Sequence, residues 1–185
     1  MNDPIRPTAK NAIMEAGFRL LSAEPSSSLS RIAEHAGVGR ATLHRHFTCR
    51  DELLRKLAMR AYEEMDEAAE SAAEHAPSYS AALKNILDAL IPLGDRHGFL
   101  AHFGLEDDAE LKNEIARQAE ETRDLIDAAR GEGLFDPAIP TSWIERMYDA
   151  AVMAGWESMR AEETTLNQAS ELAWNSLIKG VGAKS

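Results

Sequence analysis

Apolar residues recur along this chain every three or four positions, and the positions between them are charged, polar or small. That spacing belongs to helices with one buried face. Runs in which apolar and polar residues alternate one by one, as a half-buried strand needs, are missing. The pattern predicts an all-α protein of about nine helices, at about 8–23, 29–36, 40–46, 50–75, 79–94, 97–104, 107–131, 140–161 and 164–180. The breaks have local causes. Thr8 is placed to cap the first helix, and Pro25 follows its end. The serines at 26–28 make a loop and supply a cap for the second helix. Gly37 suits the turn before the third, because glycine tolerates a positive φ at least cost. Thr48 with Asp51, and Cys49 with Glu52, both have capping-box spacing at the start of the fourth. Pro77, the Gly131 and Gly133 pair, and Pro137 with Pro140 separate the later helices.

Two domains follow from this layout. Residues 1–50 form a head of three short helices, with the connecting helix running on to about 60, and 51–185 form a larger helical bundle. Charge divides the same way. Residues 1–60 hold ten Lys/Arg against six Asp/Glu, and 61–185 hold ten against twenty-five, so a balance of +4 meets one of −15 within the net −11. A basic head on an acidic body directs the head toward phosphate and keeps the body off it.

The segment 29–54, LSRIAEHAGVGRATLHRHFTCRDELL, carries the most information. A helix, a glycine turn and a short basic helix are the arrangement that lays one helix in a DNA major groove. Within it, AGVGRATLHRHFTCRDEL at 36–53 resembles the helix-turn-helix signature of TetR-type transcriptional regulators: Ala-Gly-Val, a basic residue, Thr-Leu, Phe, then a basic–acidic pair and Leu. The likeness covers roughly 9–60, and the body is similar in helix number and order. His44 departs from the signature, standing where the family usually has tyrosine. The loop at 24–28 is also about two residues shorter than the family norm.

The resemblance implies a DNA-facing set of Arg40, Ala41, Thr42, His44, Arg45 and His46. Arg40 and Arg45 are the candidates for reading bases, since a guanidinium can donate twice to guanine O6 and N7. Thr42 and His44 are placed for phosphate, as are Ser28 and Arg31 at the start of the second helix and Arg50 at the start of the fourth. It further implies a homodimer formed by the last two helices, for which Ala151, Gly155, Leu166, Ala173, Trp174 and Leu177 are the candidate contacts; the competing reading is that both faces are intrachain core. A small-molecule effector is implied as well, apolar or aromatic, held in the body by Phe99, His102, Phe103, Met147, Tyr148, Met153 and Trp156. The partners expected are therefore double-stranded operator DNA, the effector and a second copy of the chain.

Other chemistry finds little support. No nucleophile–base pair, paired-carboxylate motif or phosphate loop is present, so no catalytic residue is expected. His97 and His102 are five apart, which does not bring both to one helix face, and no metal or cofactor is expected. No apolar run nears the ~18 residues of a membrane span. The N-terminus lacks a signal-peptide core, and the single cysteine fits a reducing compartment, so a cytoplasmic protein without membrane attachment is expected. Cys49, near Arg45 and Arg50, could sense oxidants, but a small residue filling a cap position is the simpler reading. The leading function is a ligand-responsive transcriptional regulator, a repressor released from a palindromic operator by a small molecule. The alternatives are an all-helical ligand-binding or enzymatic bundle, and a regulator controlled by a protein partner.

Overall fold

The structure, a computed structural model, describes residues 8–103 and 108–183. Among the described residues it is all helical, with nine α-helices, one 3-10 turn and a single isolated bridge between Phe135 and Gly182. The chain divides into two compact units, one running to Ala61 and resuming at Asp95, the other comprising Tyr62–Gly94 and the remainder from 106 onward. The sixth helix thus groups with the N-terminal helices, whereas the sequence pattern assigns it to the body.

In the first unit, α1 (Ala9–Ala23), α2 (Leu29–His35), α3 (Arg40–His46), the first half of α4 (Arg50–Ala73) and α6 (Gly94–His102) supply the core. Its largest fully buried side chains include Ile13, Phe18, Leu21, Ile32, Leu43, Phe47, Leu53, Leu57 and Phe99. Phe18 and Phe99 meet edge to face with ring centroids 5.6 Å apart, a favourable geometry for two ring quadrupoles. Gly17 lets α4 approach α1: a Cβ there would lie 2.9 Å from Leu57 Cδ1. Beside this apolar contact, Glu15 accepts from Arg60 and Arg96 at 2.8 Å each, and the Arg96 guanidinium lies 4.5 Å over the Phe18 ring. Glu15 and Arg60 are partly exposed while Arg96 is mostly buried. Their consequence is positional, since they tie α6 to α1 beside Phe18. At the head of α4, Glu52 accepts from both the backbone and the hydroxyl of Thr48, at 2.8 and 2.7 Å. Neither pairing with capping-box spacing forms; the contact runs over four residues instead.

The second unit is built from the rest of α4, α5 (Tyr79–Leu90), a 3-10 turn (Ile91–Leu93), α7 (Ala109–Gly131), α8 (Thr141–Arg160) and α9 (Leu166–Val181). The sequence pattern reads 79–94 as one helix. Pro92 explains the difference, because it lacks the N–H that would continue the α-ladder. Gly94 then passes so close to Trp156 that a Cβ would lie 2.0 Å from its Cγ. The core joins Leu83, Leu87, Ile91, Ile126, Phe135, Ile144, Val152, Leu177 and Val181. Tyr148 is buried among them and donates its hydroxyl to the Leu83 carbonyl at 2.7 Å. Burial, with Asp149 and Asp88 nearby, raises this phenol well above its ordinary pKa. Arg117 of α7 binds Glu114 and Glu121 of its own helix and Asp66 of α4. A full capping box, Thr165 with Gln168, starts α9.

Glu132 closes the start of α5, accepting from the Tyr79 backbone at 3.0 Å and from the Ser80 backbone and hydroxyl at 2.8 and 2.7 Å. These bonds, the Ser80 hydroxyl first, hold its carboxyl below the usual range. A carboxylate with a lowered folded-state pKa stabilises above the unfolded value of about 4.3 and loses that contribution as pH falls through the folded value. Glu132→Gln is therefore expected to melt below wild type near pH ~7, with the gap narrowing as the pH falls below about 4. Thermal melts across that range test this, and a constant gap between the two proteins would assign no ionic role to Glu132.

Candidate nucleic-acid interface

The helix-turn-helix forms where the sequence pattern places it. Ser28 caps α2 by accepting from the Arg31 backbone at 3.3 Å. Gly37 turns the chain with φ +67°, a conformation that side chains other than glycine's resist. Gly39 then stands at the N-cap of α3 without a side-chain cap. In α3, Leu43 and Phe47 are buried and four residues apart, so they define the inward stripe. At about 100° per residue, Arg45 projects roughly opposite that stripe, flanked by Ala41 and Thr42. His44 sits at one edge of the outward face and the half-buried His46 toward the other, while Arg40, on the side of Leu43 and Phe47, is exposed at the first position of α3.

The electrostatics reinforce this geometry. The unit that contains α3 keeps the +4 balance, because Asp95 and Arg96 in its α6 segment cancel, and the other unit carries −15. Arg40 and Arg45 are exposed and make no hydrogen bond or ion pair with any described residue. Two other basic residues of the expected set are already engaged. Arg31 pairs with Glu24 across the loop before α2. The half-buried Arg50 donates to the carbonyls of Pro25 and Ser27. Glu24 and those two carbonyls have no part in the sequence reading, since backbone acceptors leave no mark in residue identity.

The residues expected to hold an effector separate into two groups. Phe99, His102 and Phe103 fall in the first unit, where Phe99 is fully buried and stacks on Phe103 at 4.9 Å between centroids. His102 is exposed at the end of α6. Met147, Tyr148, Met153 and Trp156 lie on α8 in the second unit. Tyr148 has committed its hydroxyl to Leu83, and Trp156 is covered by Arg160, whose guanidinium carbon is 5.1 Å from the ring centroid. Phe99 has no exposed face and forms part of the core of the first unit.

The dimer candidates also separate into two groups. Ala151, Gly155, Ala173 and Leu177 are buried inside their own unit, and a Cβ on Gly155 would lie 2.8 Å from Ile91 Cδ1. Trp174 is half buried against the same core. Leu166 is exposed, and so are two residues that the helical stripes left out, Trp143 at 53% and Leu172 at 59%. Ala150 and Ala154 of α8, and Ser176 and Gly180 of α9, are also exposed. The signal was present in the sequence as a tryptophan and a leucine that fit neither apolar stripe.

Among the described residues, no helix is long and apolar enough to cross a membrane, and no group of three or more His, Cys, Asp or Glu is arranged to hold a metal. Residues 13–57 match the family model of bacterial regulatory proteins, tetR family. The chain is 30% identical over 156 residues to the HTH-type transcriptional repressor LfrR of Mycolicibacterium smegmatis, covering 84% of this chain and 81% of that one. The crystal structure of LfrR in complex with proflavine superposes with a TM-score of 0.74 at 26% identity, over 95% of this chain and 97% of that chain. The ketosteroid transcriptional regulator KstR2 of Mycobacterium tuberculosis shares the fold, with a TM-score of 0.75 at 14% identity over 95% of each chain.

Proposed function

We infer that this chain, which belongs to the TetR family of bacterial regulatory proteins, reads its operator through the outward face of α3, with Arg45 at the centre. The family consists of ligand-responsive regulators of transcription, not enzymes. One observation carries the residue-level reading: an exposed, unengaged arginine opposite the buried Leu43 and Phe47 stripe, on the helix that follows a positive-φ glycine turn. Arg45 is placed to donate to guanine in the major groove, and the small Ala41 beside it lets the helix backbone come close to the bases. Thr42, His44 and His46 flank that centre and meet sugar and phosphate, with Ser28 contributing from the capped start of α2 and Arg40 reaching a base from the N-terminus of α3. Arg45→Ala is expected to cost about 1–3 kcal/mol in operator binding and to relax preference at one base position. A titration that compares the operator with variants at each position checks this. Wild-type affinity and an unchanged base preference in Arg45→Ala would remove α3 from its reading role.

Repression relieved by a small molecule fits the repressor relative, and proflavine bound to LfrR favours an aromatic effector for this chain too. Met147, Met153 and Trp156 on α8 are the side chains we assign to it. Tyr148 is excluded as a polar anchor because its hydroxyl is spent within the core. Such an effector releases DNA only if it binds the two states of the regulator unequally. We place the protein in the cytoplasm, where its operator is.

The functional form is a homodimer through the exposed residues of α8 and α9, chiefly Trp143, Ala150 and Ala154 with Leu166, Leu172 and Ser176. Exposed large apolar groups on helices that otherwise pack well are common where a second copy covers them.

A further inference from the structure

Arg50 is the basic residue whose observed surroundings depart furthest from what its position suggests. It opens α4, where the helix dipole disfavours a cation, and Asp51 and Glu52 beside it complement that dipole while Arg50 does not. Its guanidinium is turned back onto the loop before α2. Nη2 donates to the Pro25 carbonyl at 2.6 Å, and Nη1 donates to the Ser27 carbonyl. The Phe103 ring lies on the same guanidinium, with the carbon 5.9 Å from the centroid. The loop it grips is mostly exposed, with one buried residue at its centre. Ser27 is 2% exposed, and its hydroxyl has no hydrogen-bond partner among the described residues. A buried hydroxyl without a partner costs free energy, so Ser27 is not held in place by its own side chain.

We propose that Arg50 is a positioning residue for operator binding rather than a phosphate contact: by clamping the carbonyls of Pro25 and Ser27 to the first turn of α4 it fixes the N-terminus of α2, and with it the pitch of α3 in the groove. The proposal rests on the reading of α3 as the DNA-contacting helix. Planarity explains why arginine is needed. Two carbonyls two residues apart are met by two nitrogens of one rigid guanidinium, and a lysine ammonium on a flexible stem does not reproduce that geometry. Ser28 follows the clamped carbonyl directly and caps α2, so a shift of the loop displaces the cap and the first turn together.

The test uses the full-length chain and the duplex that the wild type enriches from a randomised library, with affinity measured by anisotropy over a salt series. Arg50→Lys and Arg50→Ala are each expected to weaken binding about 5- to 30-fold while leaving the slope of log affinity against log salt at the wild-type value. A lost phosphate contact would instead reduce the slope by about 0.9. Hydrogen exchange on the free protein reads the clamp without DNA, and the amides at 27–32 are expected to exchange faster in Arg50→Lys. If Arg50→Ala does not fold, Arg50→Lys still carries both measurements. Wild-type affinity in Arg50→Lys, a slope reduced by about one in either variant, or unchanged exchange at 27–32 overturns the proposal. If the wild type enriches no duplex at all, the reading of α3 itself fails, and exchange alone still decides whether the clamp exists.

Discussion

Leu172→Glu is expected to leave a folded monomer whose operator affinity is about 100- to 10,000-fold below wild type. The size follows from linkage rather than from any lost DNA contact. One head spans one half-site, and successive half-sites lie about 34 Å apart along the duplex, so tight binding needs two heads held together. Leu172 is 59% exposed and Trp143 53%, so a carboxylate at either position reaches water in the isolated chain. In a dimer the same carboxylate would be buried without a partner, which costs several kcal/mol. Gly155→Glu makes the contrast. Its first side-chain atom already collides with Ile91 at 2.8 Å, so it damages the body before any interface is reached. Light scattering, circular dichroism and an operator titration on the same samples separate these cases. A wild type that is monomeric at micromolar concentration, or a Leu172→Glu protein that stays dimeric, would defeat the assignment of this face.

The head was legible in the sequence because its signals are local. Gly37 at a turn, Leu43 and Phe47 four residues apart, and Ser28 ahead of a helix each specify backbone geometry within a few residues, and the structure has α2 and α3 within one residue of the expected bounds. The body was legible in its helices but not in its contacts. Periodicity identifies a buried face without saying what buries it, so Ala173 and Leu177 read equally well as interface and as core. The same ambiguity moved Phe99 and Phe103. An apolar pair on a short helix looks like a pocket wall until the tertiary structure places it against Phe18 and Arg50. The surroundings of Arg50 were hidden for a related reason. Its partners are carbonyls 23 and 25 residues back along the chain, and carbonyls are common to every residue type. The break at Pro92, by contrast, was there to be read in the sequence, since a proline inside a helical pattern ends the ladder.

Phe99→Ala is expected to destabilise the first unit by about 3–5 kcal/mol, the usual cost of emptying a fully buried aromatic site. Phe99 is 0% exposed, meets Phe18 edge on at 5.6 Å and stacks on Phe103 at 4.9 Å. It is thus an apolar link through which α6 joins α1, beside the Arg96–Glu15 pair. For a chain of this size the loss corresponds to a fall in melting temperature on the order of 10 °C. Had Phe99 lined an effector pocket, its truncation would weaken the effector and leave the melting temperature nearly unchanged. The two roles therefore predict opposite patterns in one pair of measurements, a thermal melt and an effector titration. Phe103→Leu serves as the internal comparison, because Phe103 is only half buried and leucine keeps most of its bulk. It is expected to lower the melting temperature far less than Phe99→Ala while loosening the face that rests on Arg50. Equal losses from the two substitutions, or none from either, would mean that the Phe18–Phe99 contact does not secure α6 to the N-terminal helices.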